Sequence, residues 1–181
     1  SPWPEHPDFK VTTFSYVMSL MPPTIIRDLH LERHGYKVYP MGPYYQAFPD
    51  GRSIKLYADD AKKNHESVAR FSKKDAETLP LWDEWLANVA SILGPLLLHV
   101  PPKLGSLALG DLLDTVKTAW KVRKLGVRGV GDVTKLFTMS VTDLLNEWFE
   151  SDAVKAALTI NGVIGTWAGP DEPGTAYVML H

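Results

Sequence analysis

Trp82, Trp85, Leu86, Val89, Leu93 and Leu96 recur at helical spacing and make an apolar stripe too wide to be left facing water. A chain that carries this stripe must supply a second layer to cover it, so the helix is the fixed point of any fold. Ser72 and Asp75 form a capping box ahead of it. Pro80 either kinks the helix or opens a new first turn. The pattern stays helical from Asp59 to about Gly162, with breaks at Pro and Gly. A helix from about Ser106 to Lys124 places Leu109, Leu112, Leu113, Val116 and Trp120 on one face, and its basic end suits a helix C-terminus. Two more helices follow. Ser140-Val-Thr-Asp143 is a capping-box signature that starts the second, with Val141, Leu144, Leu145 and Trp148 inward, and Ser151 caps the next, over Ala153 to Ile160.

The residues before Asp59 read differently. Phe9, Val11, Phe14, Tyr16 and Met18 are largely β-branched or aromatic and argue for a strand between Phe9 and Leu20. Pro22-Pro23-Thr24 ends it. Thr24 is the expected N-cap of a short helix with Ile25, Ile26 and Leu29 inward and Tyr36 as a further candidate, stopped at Gly35. Three short strands are expected over Tyr36 to Pro40, Tyr44 to Phe48 and Ser53 to Tyr57, with Pro49-Asp50-Gly51-Arg52 turning between the last two. The expected fold class is α+β, a small mostly antiparallel sheet packed with a larger helical layer. Along the chain this divides into a strand-rich part (1–58), a helical part (59–163) and a Gly/Pro-rich return (164–181).

Composition removes several function classes. With 45% hydrophobic and 22% charged residues among 181, the chain is an ordinary globular one, and a net charge of -2 offers no general attraction to phosphate backbones, so nucleic acid is not an expected partner. The lack of cysteine excludes disulfides, thiolate metal ligands and a cysteine nucleophile within these residues. The most apolar short run, Ile92 to Val100, is interrupted by Gly94 and Pro95 and is about half the length a membrane-spanning helix needs. No signal-peptide pattern opens the chain, and both ends, at Ser1 and His181, read as cut.

Four motifs invite chemistry, and each has a plainer reading. Gly126-Val-Arg-Gly129-Val-Gly131-Asp-Val-Thr134 contains GxG, but Thr134 stands where a dinucleotide fingerprint needs its third glycine, and a helix precedes it where a strand should; an ordinary interhelical connection is preferred. His30 and His34 stand four apart and could chelate a metal from one helix face, yet no third ligand is indicated, and two surface histidines at a helix C-terminus are expected instead. The acidic pairs Asp59-Asp60, Asp83-Glu84 and Glu147 with Glu150 fit solvated faces or helix starts, and no GxSxG supports a hydrolase. The segment from Gly162 to Gly174 places several glycines and two prolines between apolar stretches. A long loop and a functional loop that lets backbone approach a flat ligand are equally consistent with it.

Five words carry a resemblance: Arg33-His-Gly-Tyr-Lys-Val38, Ala69-Arg-Phe-Ser-Lys-Lys-Asp-Ala-Glu77, Asn146-Glu-Trp-Phe-Glu-Ser-Asp152, Lys155-Ala-Ala-Leu158 and Gly169-Pro-Asp-Glu-Pro-Gly-Thr-Ala-Tyr-Val178. In this order they resemble the middle of the phytoene desaturase-related FAD-dependent oxidoreductases, the branch that includes pyridine nucleotide-disulphide oxidoreductase domain proteins. Members of that family bind the ADP moiety of FAD with a strand, GxGxxG and helix, and close with a second Gly-rich flavin segment; neither occurs here. The resemblance therefore implies the substrate side of a larger flavoenzyme that takes hydride equivalents from an apolar small molecule. FAD would be held by the full-length protein and none by this chain alone. Its partners would be the FAD-binding domain of the same polypeptide, with a second copy as a further candidate. The location implied is cytoplasmic, peripheral to a membrane at most, or mitochondrial in a eukaryote. The positions that match flavin- or substrate-facing segments are Tyr16, Ser19, Met139, Gly165, Trp167, Gly169 and Gly174. No acid or base is implied. A free-standing module whose Trp-rich helices hold an apolar ligand or partner helix is the alternative from a different class.

Overall fold

The computed structural model describes residues 2–10, 21–94 and 126–180. Its architecture is mixed α and β, in two compact units that divide at Gly42 and Pro43. Of the strand expected between Phe9 and Leu20 only Phe9 and Lys10 are described, both in strand; Tyr16 and Ser19, and the expected helix from Ser106 to Lys124, lie outside the described residues.

The first unit holds a short antiparallel hairpin, β1 (Pro2–Trp3) with β2 (His6–Lys10). Helix α1 runs over Pro23–Asp28. Its N-cap is Pro22, one of the two prolines expected to end the preceding strand, rather than Thr24, because Pro23 at the first helical position has no N–H to leave unpaired. The expected continuation to Gly35 does not form. His30 takes a left-handed conformation at φ 51° and separates α1 from a 3-10 turn, Leu31–His34, which Gly35 closes at φ 86°. Tyr36 to Pro40, expected as a strand, carries no ladder. Pro40 has no N–H to give one.

The second unit opens with the expected hairpin, β3 (Tyr44–Ala47) and β4 (Ser53–Leu56), antiparallel with Gln46 opposite Ile54. Its turn behaves as the residues dictate. Gly51 sits at φ 81°, and the Asp50 carboxylate accepts from the Arg52 backbone N–H at 3.0 Å and from its guanidinium. Five helices follow among the described residues: α2 (Ala61–Ala69), α3 (Lys73–Leu93), α4 (Gly126–Thr138), α5 (Val141–Trp148) and α6 (Asp152–Val163); a final 3-10 helix covers Thr175–Leu180.

Helix α3 is the centre of this unit, and Pro80 lies inside it without ending it. The described part of its stripe faces the core, with Trp82 and Val89 buried and Trp85, Leu86 and Leu93 partly so; Leu96 lies outside the described residues. Trp82 is 1% exposed, with its ring edge-on to Trp148 and Phe149 at 5.5 and 5.6 Å. Ile54 from the hairpin, Val68 from α2, Leu136 from α4, Leu144 and Leu145 from α5, and Val154 and Leu158 from α6 complete one core. The glycine segment expected to be an interhelical connection is instead the first half of α4. Apolar residues at 127, 130, 133 and 136 supply a helical period there, which outweighs about 1 kcal/mol of lost propensity per interior glycine.

Candidate functional site

The N-terminus of α5 brings together two of the five described candidate residues, Met139 and Gly174. A helix start leaves its first N–H groups without intrahelical acceptors, and here each is met by a different device. Asp143 N–H donates to Ser140 Oγ at 3.0 Å, as the capping box requires, and Ser140 Oγ donates to Asp143 Oδ2 at 2.8 Å. Thr142 N–H donates to the Pro170 carbonyl at 3.1 Å. Val141 N–H donates to Thr175 Oγ1 at 3.0 Å, and that hydroxyl donates onward to the Glu172 carbonyl at 2.8 Å. The Met139 carbonyl accepts from Gly174 at 2.9 Å and from Ala176 at 3.3 Å.

The Gly/Pro-rich return is therefore stapled to the start of α5 through its last residues. The structure brings Met139 and Gly174 together by a backbone hydrogen bond. Gly174 is needed there for its φ of 84°, and an added Cβ would also lie 3.4 Å from the Phe137 carbonyl oxygen. Gly165 and Trp167 lie earlier in the same loop, and Gly169 directly precedes Pro170, whose carbonyl is part of the staple. Gly165 has φ 72°, Gly169 has open space where a Cβ would stand, and Trp167 is fully exposed. Tyr16 and Ser19 lie outside the described residues.

A second set of contacts was not legible as a site. Asp75, completely buried, accepts from the backbone N–H groups of Glu150 and Ser151, both at 2.9 Å. Ser72 Oγ donates to Glu150 Oε1 at 2.9 Å. Hydrogen bonds from Ser72 and Lys74 hold the Glu150 carboxyl below the usual range. Ser151 occupies the N-cap position of α6, as expected, but its side chain makes no cap bond. The word containing Ser72 and Asp75 thus meets the word containing Glu150 and Ser151, and Lys155 of a third donates to Asn146 at 2.9 Å. These meetings are capping and bracing contacts that fix α3, α5 and α6 against each other.

Neither the start of α5 nor the glycine segment forms a cradle for the pyrophosphate of FAD. The three N–H groups that open α5 already have protein acceptors, and Gly129 and Gly131 are helical instead of shaping a strand-to-helix turn. His30 and His34 do not share one helix face, because α1 ends at Asp28, and no group of three His, Asp or Glu side chains among the described residues is placed to hold a metal ion. No helix among them is long and apolar enough to cross a membrane.

Over 97% of its length the chain is similar to proteins named for an oxidoreductase domain. It is 31% identical over 188 aligned residues to the rat (Rattus norvegicus) pyridine nucleotide-disulfide oxidoreductase domain-containing protein 2, and 33% identical over 190 to the mouse (Mus musculus) protein of the same name. The chain spans about a third, 32%, of the length of these curated relatives. No family model matches the chain, and no solved structure does.

Proposed function

We propose that this chain is the substrate-side portion of an FAD-dependent oxidoreductase that acts on an apolar small molecule, with the flavin held by another part of the same polypeptide. The observation that carries the reading is the continuous similarity of nearly the whole chain to one third of proteins named for a pyridine nucleotide-disulfide oxidoreductase domain. The five words shared with the phytoene desaturase-related branch support the finer assignment. Three of those words meet in the structure as the bracing of α3, α5 and α6, which suits a scaffold more than a reacting centre. On this reading the return loop faces substrate or flavin, with Trp167 as its exposed flat surface and Gly165 and Gly169 leaving room beside it. On this reading the protein would work in the cytoplasm, or in the mitochondrion of a eukaryote, with at most a peripheral membrane contact.

The test is made on the protein expressed from its complete reading frame. Flavin absorbance should accompany the purified protein, and heat denaturation should release FAD identifiable by chromatography, about one per polypeptide as expected of a cofactor that carries the redox step. Trp167→Ala should leave that flavin content unchanged while it weakens substrate-dependent flavin reduction. Protein that carries no flavin from a flavin-sufficient host, and takes up none when FAD is added, would end the proposal.

A further inference from the structure

Among the described residues, helix α4 is apolar over more of its circumference than its neighbours cover. At about 100° per residue, Leu136, Val133, Phe137 and Val130 succeed one another around the helix as one arc, with Val127 beyond Thr134 at its far edge. The core takes only its first part. Leu136 is completely buried and Val133 packs against the core, but Val130 is 41% exposed, Phe137 51% and Val127 94%. The arc does not stop at the helix. Tyr177, on the 3-10 helix Thr175–Leu180, stacks on Phe137 with ring centroids 4.8 Å apart and is itself 41% exposed. Two elements therefore present one apolar surface, and the backbone hydrogen bonds from Gly174 and Ala176 to the Met139 carbonyl fix it in place.

Isolated exposed apolar side chains are ordinary, but a contiguous set braced across two elements marks a surface that something covers. We propose that the uncovered arc of α4, with Tyr177, is the seam on which the remainder of the full-length polypeptide seats. The occupant follows from length: relatives similar to nearly all of this chain are about three times as long, 32% of each being matched, so a protein built like them has more chain to pack against these residues than they themselves contain. Position agrees, because Tyr177 is three residues beyond Gly174 and the surface adjoins the stapled return loop. The inference rests on the reading of this chain as one part of a larger oxidoreductase.

Hydroxyl-radical footprinting of the protein from the complete reading frame tests it, with each residue's labelling normalised to the reactivity of its side-chain type. The expected result is loss of labelling at Phe137 and Tyr177 to the level of the buried Trp82, unchanged when the protein is diluted. Labelling at the level that their exposure here implies overturns the seam, as does a complete frame no longer than this chain. Protection that disappears on dilution together with a dimer seen by light scattering shows a second copy on this face and also overturns it. Flavin content read on the same sample separates the two proposals. Protected Phe137 and Tyr177 in a protein without flavin uphold the seam and sink the oxidoreductase reading, whereas unprotected residues in a flavin-loaded protein sink the seam alone.

Discussion

Gly162 of α6 faces Val141 of α5, which fills the space its missing side chain leaves. A Cβ at that position would stand 2.1 Å from Val141 Cγ2, well inside van der Waals contact. Within a helix, alanine ordinarily stabilises relative to glycine by roughly 0.5–1 kcal/mol. The contact reverses the sign. Gly162→Ala should destabilise the protein by about 1–3 kcal/mol, the usual cost of overpacking a well-filled core. Chemical denaturation would measure it, and the double variant Gly162→Ala/Val141→Ala should recover part of the loss that Val141→Ala alone would impose. An alanine variant as stable as the parent or more so would show that the helices can part without cost. This glycine drew attention in the sequence only as the first residue of a Gly/Pro-rich stretch. Its packing role depends on which side chain α5 turns toward it, which neither residue's local pattern encodes.

Among the elements, what was legible was what depends on neighbours in sequence. The capping boxes at Ser72 and Ser140, the Asp50-Gly51 turn and the stripe of α3 all formed as their spacing dictates, since each is settled within a few residues. The strand expected over Tyr36 to Pro40 failed for want of a ladder partner, and the glycine segment at 126–134 became helix because its apolar period outweighed its poor propensity. Asp75 shows the limit most clearly. Three residues after Ser72 it completes a recognisable cap, yet its carboxylate does not return to its own helix start. It spans 75 and 76 residues to take the N–H groups of Glu150 and Ser151. Asp75→Asn keeps the shape but turns one acceptor into a donor that faces a backbone N–H. Leaving one buried N–H unsatisfied should cost about 1–3 kcal/mol, with hydrogen exchange accelerated at Glu150 and Ser151 first. Protection at those two amides equal to the parent's would show that the carboxylate is not their anchor. The return loop was the hardest element to judge in advance. Its glycines suit a long loop and a functional one alike, and it took Thr175 and Pro170 meeting α5 to show that one end is a brace while Trp167 is left outside.

At the scale of the whole molecule, the charged groups decide how the fold answers to acid. Hydrogen bonds from partners hold four carboxylates below the ordinary range: Asp50 by Arg52, Asp60 by Lys63, Glu150 by Ser72 and Lys74, and Asp152 by Lys155. A carboxylate whose folded pKa is depressed releases its proton more readily in the native state than in the unfolded one. Its stabilising contribution is therefore complete above the unfolded value, 3.8 for Asp and 4.5 for Glu, and is lost as pH falls through the folded value. Asp83 has the opposite sign, because desolvation raises its pKa, so its ionisation opposes folding above the same range. Four depressed groups outnumber one raised group, so stability should decline as pH is lowered from about 5, each group's share being small because solvent and salt screen exposed pairs. Urea midpoints measured between about pH 5 and pH 3, at low and at high salt, check this. The expected result is a falling midpoint whose slope flattens in high salt, and Glu150→Gln should flatten it further, since that carboxylate ties the junction of α5 and α6 to Ser72 and Lys74 at the start of α3. A midpoint that rises on acidification would mean that Asp83 governs the response instead of these four pairs.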